Sequence, residues 1–477
     1  MTAVIDHDIT LKSKEESLRN VLSIKPQNAK VMSQLASLLV ERSKTILAVH
    51  PKQAELLRNE AVEWAKHAIQ IGPQRPFGYA ALSVAARDWS ERKQALLQAA
   101  DLSPDQFRLA RTGVLVRLLT EERDEESRNV TGTIGKASVK HPSRRALAAS
   151  EMTLYHRIEE DLRVAWIEAS TFSEKEQEFL SKQEFRLARF FRKKMPQGTS
   201  LPRARKHFMQ CRTYASPNQG EMAAFWLATL PDDATPTSNV PAIAKCPTSY
   251  VVNLYSTFAA RFDKLLVEQL QYQTPTKLRQ LFDCILATMS ENNKCFERVC
   301  DLGCGTGLSG LAFRDLVIQP QGSLVGVDLS SEMLEQAKVR GCYSELHVGD
   351  VETTLSKLHQ TRRHTDIGLS SFDLILACDV FCYIGNLAGV FSVVATALDS
   401  AGYFCFSTEL LLPSEDRRAN ASSPFRLHSC ARFSHRQSYI EELGQKSGFE
   451  TVEMRAMPIR KNQGQDVQGL LVVMQKI

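Results

Sequence analysis

The sequence predicts two modules of different class: an all-α, helical-repeat-like half over residues 1–230 and an α/β half over 249–477 built on a mostly parallel sheet. Three observations predict it. Apolar residues recur at helical spacing through the first half. From about Ser249 short β-rich runs alternate with helical stretches. Between the two lies PDDATPTSNVPAIAKCP, Pro231 to Pro247, with four prolines and little periodicity, and 231–248 therefore reads as a linker. A chain of 477 residues has room for both.

In the first half the helical pattern shows as Leu18, Val21 and Leu22, then Val31, Leu35, Leu38 and Leu39, then Ala61, Ala65, Ala68 and Ile69. Turn signals around Pro26, Pro73 and Pro104 each close one helix and open the next. Their spacings of 47 and 31 meet the tetratricopeptide period of ~34 residues only loosely. A plain helical bundle is the simpler alternative. Residues 127–141, rich in Gly, Ser and Thr, read as a loop, and helical patterns resume at 142–170, 174–194 and 219–230.

Composition excludes several classes. Apolar residues make up 43% and charged residues 24%, ordinary for a globular protein and unlike a disordered or collagen-like chain. No apolar run approaches the ~18–20 residues of a membrane helix. The start, MTAVIDHDITLKSKEE, lacks a signal-like apolar segment, so a cytoplasmic location is the expectation. All 11 cysteines lie at or after Cys211, with no C-x-x-C pair, which points to reduced thiols and no zinc cluster. No carboxylate/His spacing calls for a metal.

Net charge is +7 over residues 1–240 and −2 over 241–477. The basic excess peaks between Arg186 and Lys206, where Arg186, Arg189, Arg192, Lys193, Lys194, Arg203, Arg205 and Lys206 occur without an acid. Such a stretch suits phosphates or RNA, although a solvated helix face is the plainer reading. Phe190, Phe191 and Phe208 fall where a helix would bury them, so they argue little for base stacking.

The second half carries the chemistry. Its strand-like runs are 298–303, 323–329, 344–350, 372–380 and 401–409. The first enters DLGCGTGLSG, Asp301 to Gly310, in which glycines allow a sharp strand-to-helix turn and close ligand approach. Gly305, Gly307 and Gly310 fit a dinucleotide fingerprint. Asp301, Gly303, Gly305 and Gly307 instead fit a turn for S-adenosylmethionine, whose ammonium and sulfonium suit a nearby acid. Asp328, ending the second strand, can accept from two ribose hydroxyls under either reading. The third strand discriminates: Asp350 can accept from an adenine amino group and Val351 offers the next N–H, with Leu329 and Met333 for the faces of the ring.

With DLGCGTG, GVDLSSEML, VGD and FDLILACDVFCYIGNL in order, the chain from about Tyr250 to Ile477 resembles the class I methyltransferases that use S-adenosylmethionine. More narrowly it resembles predicted methyltransferases with a tetratricopeptide-like N-terminal region. The lead-in is matched by Tyr255, Ala259, Phe262 and Asp263, a later pattern by Arg426, Leu427, Arg432, His435, Tyr439, Gly448 and Phe449, and the ending by Arg460, Gly464, Val467 and Gly469. Phe258 stands where the family often has an aromatic hydroxyl. The resemblance implies a Rossmann-like seven-stranded sheet ending in an antiparallel hairpin, for which 449–457 and 468–475 read as strands. It also implies cofactor contacts from Asp301, Gly303, Gly305, Asp328, Asp350 and Val351, with Cys378 and Asp379 beside the methyl group.

Methyl transfer needs the acceptor and the methyl carbon at near-attack distance, and a base only where the nucleophile must lose a proton. His435 and Asp379 are the candidates, with Tyr383 as an orienting donor. Ser434 and Gln437 form a plausible capping box that would make His435 a helix-start residue, and Asp379 can instead hold the cofactor's amino group. Arg426 and Arg432 suit an acidic substrate. The fourth strand ends in ACDV, not Asn/Asp-Pro-Pro-aromatic, which disfavours amide or exocyclic-amine methylation. Small-molecule O- or C-methylation is the first expectation. A protein acceptor recruited by the helical half comes second. An RNA acceptor held by the basic stretch, a non-catalytic helical adaptor, and, remotely, a nicotinamide oxidoreductase complete the alternatives.

Overall fold

The structure is a computed structural model that describes residues 2–47, 49–103, 108–109, 111–120, 149–193, 200–230, 243–256, 259, 262–264, 272–288, 295–363, 371–412, 423–462 and 464–477. The anticipated loop at 127–141, most of the linker (231–242), Lys194, Pro104 and Phe258 lie outside the described residues. Two compact units are present, Met1–Ala223 and Ala224–Ile477.

The first unit is helical throughout its described length. Helices Thr2–Ile24, Ala29–Ile46, Pro51–Ile71, Pro76–Ala85 and Trp89–Asp101 are followed by a stretch at 111–120 and by Ala149–Glu168, Glu174–Lys193 and Ser200–Cys211. Pro26 and Pro73 sit in the turns before the second and fourth helices. Small residues let the early helices approach: Ala36, Ala61, Ala65, Ala68, Ala81 and Ala85 are buried in one core with Met32, Leu35 and Leu39. Farther along, Tyr155, Glu184 and His207 form a buried chain. His207 lies 2.9 Å from the Tyr155 hydroxyl and 2.5 Å from Glu184, which also accepts from Trp166 Nε1 at 2.6 Å.

The basic stretch is partly turned inward. Arg203 lies over the rings of Tyr155 and Phe191, and Lys206 pairs with Glu159 at 2.8 Å. Phe190, Phe191 and Phe208 are buried, as helical spacing requires.

Among the described residues the second unit has nine strands: β1 Arg298–Leu302, β2 Ser323–Asp328, β3 Glu345–Val348, β4 Phe372–Ala377, β5 Leu398–Leu410, β6 Phe425–Leu427, β7 Phe433–His435, β8 Phe449–Asn462 and β9 Gln465–Lys476. The first five pair in parallel in the order β3-β2-β1-β4-β5. The long β9 runs antiparallel to β5 and to β8, which supplies the expected terminal hairpin. Two three-residue strands go beyond the seven expected: β7 pairs with the end of β5 at Glu409 and Leu410, and β6 pairs with β7.

Side-chain alternation divides the core between the two faces of the sheet. Cys300, Leu302, Val325, Val327, Ile375, Phe404 and Phe406 meet helices Val351–Arg363, Ala388–Ala397 and Gln437–Lys446. Val299, Leu324, Leu374, Leu376, Cys405 and Leu471 meet helices Thr274–Leu286 and Leu308–Phe313. Phe404 is fully buried among the rings of Phe381, Phe391, Phe406 and Phe449. Phe404→Ala should therefore destabilise the second unit by about 3–5 kcal/mol in denaturant unfolding, and a loss under 1 kcal/mol would show that this face is not closely packed.

Candidate functional site

Strand order reverses between β1 and β4, where the chain winds left to β2 and β3 and right to β5. The two loops leaving β1 and β4 diverge there and leave a crevice at the carboxyl ends of the strands. A cavity of about 330 Å³ occupies it.

The loop after β1 is a backbone surface. Gly303 and Gly305 have φ of +66° and +54°, values that disfavour any side chain. A Cβ on Gly303 would fall 2.3 Å from Val380, in the loop after β4. The turn is anchored from both sides. Asp328 accepts from the N–H of Gly305 and of Ser330, each at 2.9 Å. Thr306 donates to Asp263 at 2.5 Å, and Arg340 binds both the Asp263 carboxylate and the Thr306 carbonyl. The lead-in residue Asp263 thus braces the glycine turn.

Asp301, at the end of β1, is fully buried. Its Oδ2 accepts from the hydroxyls of Ser309 and Tyr343, both at 2.6 Å, while Oδ1 has no hydrogen-bond partner. Burial pushes its pKa up to about 6, against the pull of those two hydroxyls. Burial also raises Asp328, opposed by the Ser330 and Gly305 N–H groups.

Most of the anticipated residues converge on the cavity: Gly303, Gly305, Asp328, Leu329, Met333, Asp350, Val351, Cys378, Asp379 and Tyr383 all line it. Asp301 and Gly307 lie just behind the lining. Asp350 is already engaged. Its Oδ1 caps the helix that begins at Val351, accepting from the Glu352 N–H at 3.0 Å, and its Oδ2 is paired with Lys245. Burial acts to raise this carboxyl, but Lys245 outweighs it and holds the group below its ordinary range.

His435 departs from the expectation of a base at the mouth. It belongs to β7, is fully buried, and does not line the cavity. Its Nε2–H points between the carbonyls of Ile384 and Gly385, at 2.9 and 3.0 Å, and its Nδ1 accepts from the Thr408 hydroxyl at 2.5 Å. Burial lowers its pKa to about 4, so the ring is a neutral cross-brace. The expected capping box is absent as well: Arg436 is the N-cap of the following helix, and Ser434 is hydrogen-bonded to His428 at 2.6 Å.

Arg432, Arg460 and Asp379, joined by Glu409, which the motif series did not assign, complete the far wall. Arg432 donates to Glu409 at 2.6 Å and to the Tyr383 hydroxyl at 3.0 Å, and approaches Asp379 at 3.4 Å. Arg460, 7% exposed, pairs with the same Glu409 oxygen and stands 3.8 Å from Asp379. Burial acts to raise Glu409, yet the two guanidiniums hold it below its ordinary range. Asp379 adopts φ +61° at the turn after β4, with its N–H on Ser407 Oγ at 2.9 Å.

Residues 244–246, read as linker, are also part of the wall. Lys245 bridges to Ile384, Gly385 N–H donates to the Ala244 carbonyl at 2.7 Å, and Cys246 N–H donates to the Tyr383 carbonyl at 2.8 Å. Tyr272 lines the cavity too, and Tyr255 joins it by donating to the Tyr383 hydroxyl at 2.8 Å.

Residues 293–435 match a family model described as a methyltransferase domain. No curated protein matches the chain. Solved structures similar to it include the magnesium protoporphyrin IX methyltransferase of Synechocystis, with bound S-adenosylhomocysteine (13% identical, 48% of this chain and 99% of that one, TM-score 0.33). An S-adenosylmethionine-dependent methyltransferase from Clostridium acetobutylicum (18%, 47% and 99%, 0.32) and one from Mesorhizobium loti (21%, 41% and 97%, 0.30) are also similar. The second unit thus carries a methyltransferase domain over residues 293–435, and S-adenosylmethionine is the cofactor that its sequence motifs call for.

Its residues fit that cofactor. The turn at Gly303 and Gly305 is a cradle free of side chains, and Asp301 offers a buried carboxylate oxygen without a donor. Gly303→Ala should lower S-adenosylhomocysteine affinity by about fivefold to a hundredfold, because the added Cβ, 2.3 Å from Val380, forces the turn to shift and restoring its strained φ to hold the ligand costs on the order of 1–3 kcal/mol. Isothermal titration of the variant checks this; unchanged affinity would show that the turn does not hold the ligand.

Proposed function

We propose that the second unit methylates an oxygen or carbon of a small-molecule acceptor. The observation that supports this most is the continuity of one cavity from the Gly303–Gly305 turn to the Asp379–Arg432–Arg460 wall. The cofactor, when bound, supplies an electrophilic methyl group on a sulfonium. In this reading Asp328 takes the ribose hydroxyls, Leu329 and Met333 the faces of the adenine, and Val351 its edge. Asp350 takes the amino group of the ring once Lys245 yields. The free oxygen of Asp301, with Asp379 and Cys378 nearby, faces the amino-acid end. Tyr383, fixed by Tyr255 and Arg432, positions the acceptor rather than removing its proton, since burial raises its phenol well above the ordinary range. The eleven free cysteines suit a reducing, cytoplasmic setting. Among the described residues no helix is long and apolar enough to cross a membrane.

The test is transfer of label from methyl-labelled S-adenosylmethionine to fractionated extract, with Asp328→Ala as the control. The variant should lose both S-adenosylhomocysteine binding and transfer; transfer that survives would break the reading. A second outcome follows from Asp301. Its pKa near 6 lies above the unfolded value of 3.8, so its stabilising contribution to the ligand-free fold is present at low pH and is lost as pH rises through 6. Binding a cation favours the ionised form. Affinity for S-adenosylhomocysteine should thus weaken by up to about tenfold per pH unit below about 6, and Asp301→Asn should flatten that dependence. A wild-type affinity constant between pH 5 and 7 would contradict the assignment.

A further inference from the structure

The far wall of the cavity contains an arginine with unused donors. The Arg432 side chain is fully engaged: Nε on Glu409, Nη1 on Tyr383, and Nη2 on Cys382 Sγ at 2.9 Å and near Asp379. Arg460 is not. Its one hydrogen bond to a described residue runs from Nη2 to Glu409; Nε is sealed inside the wall 3.8 Å from Asp379, and no described residue takes a hydrogen bond from Nη1. Both arginines line the cavity, beside apolar and aromatic wall residues Val251, Leu254, Tyr255, Phe262 and Tyr272. A fixed guanidinium with free donors, facing an apolar chamber, selects a flat anion carried on an apolar body.

Among the described residues the same wall offers no uncommitted base. His435 is locked into the sheet. Burial keeps the phenols of Tyr255, Tyr272 and Tyr383 and the thiols of Cys304, Cys378 and Cys382 protonated, raising every one of them. Asp379 is already committed, 3.4 Å from Arg432 and 3.8 Å from Arg460. Among the described residues an alcohol or phenol finds no uncommitted group here to take its proton, whereas a nucleophile that arrives ionised needs no base.

We propose that the acceptor is a carboxylic acid with an apolar body, held as its carboxylate by Arg460 and methylated on that carboxylate to give a methyl ester. This rests on the methyl-transfer reading above. One carboxylate oxygen gives its electron pair to the methyl carbon, and the carbon–sulfur bond breaks with its pair staying on sulfur. No proton moves. The acceptor loses its negative charge as the sulfonium loses its positive one, so the step conserves the charge balance of the chamber. The uncharged ester no longer suits Arg460, which favours its release.

The chemistry of the product provides the test. The full chain is incubated with methyl-tritiated S-adenosylmethionine and the small-molecule filtrate of its own host's extract, and the product is treated with mild alkali. A methyl ester releases its label as volatile methanol; ethers, N-methyl and C-methyl products do not. Volatile label is the expected result, and label that stays non-volatile overturns the carboxylate proposal while leaving methyl transfer standing. No transfer, despite S-adenosylhomocysteine binding, overturns the parent reading and this proposal with it.

A binding measurement independent of turnover uses 3-phenylpropanoate and 3-phenylpropanamide in the presence of S-adenosylhomocysteine. The acid should bind at least about tenfold more tightly than the amide. Arg460→Gln and the milder Arg460→Lys should both narrow that gap without weakening S-adenosylhomocysteine. Equal binding of acid and amide by the wild-type protein would refute the assignment of Arg460.

Discussion

The site depends on one carboxylate. Asp328 holds the Gly305 N–H with one oxygen and the Ser330 N–H with the other, and so ties the end of β2 to the turn that leaves β1. Each bond satisfies a donor that would otherwise be costly to bury. Ser330 in turn accepts from the Met333 N–H and starts the helix Ser331–Arg340. The glycine turn, the acid proposed for the ribose and the methionine proposed for the adenine are therefore one connected assembly. Its opposite side is braced by Asp263 and Arg340 through Thr306.

A second assembly defines the acceptor end. Glu409 lies near the end of β5, where that strand pairs at once with β9 at Gly469 and with the short β7 at Ser434. It accepts from Arg432, just before β7, and from Arg460, on β8. Three distant parts of the chain are joined through this one carboxylate. Isolated charges at such depth would be strongly unfavourable, and removing one partner of a buried pair typically costs about 3–5 kcal/mol. Two arginines facing Glu409 and Asp379 leave the wall balanced in charge. Residues 244–256 then flank the chamber, with Lys245 on Asp350 and Tyr255 on Tyr383.

Much of this was legible in the residues alone, for physical reasons that also explain the omissions. Strands β1, β2, β4 and β5 are buried on both faces and so read as continuous apolar runs next to glycine or acidic turns. The cofactor end was legible because its groups follow those strands directly. Strands β6 and β7 span three residues each, too short for any period to register. That omission underlies the reading of His435 as a candidate base just before a helix, whereas on a strand beside Leu410 it points into the core. Residues 244–246 were lost to their proline-rich surroundings, because their partners at 383–386 lie far away in sequence. Arg460 belongs to the family-like ending, but nothing local signals that β8 continues past 457 and carries it to Glu409.

A crystal structure of the full chain grown with S-adenosylhomocysteine tests the central claim most directly. The account predicts adenosine against the turn at Gly303 and Gly305, with both ribose hydroxyls on Asp328 while that carboxylate keeps its two backbone bonds. A ligand seated elsewhere in the second unit, or a turn that must unravel from Asp328 to admit it, would contradict the account.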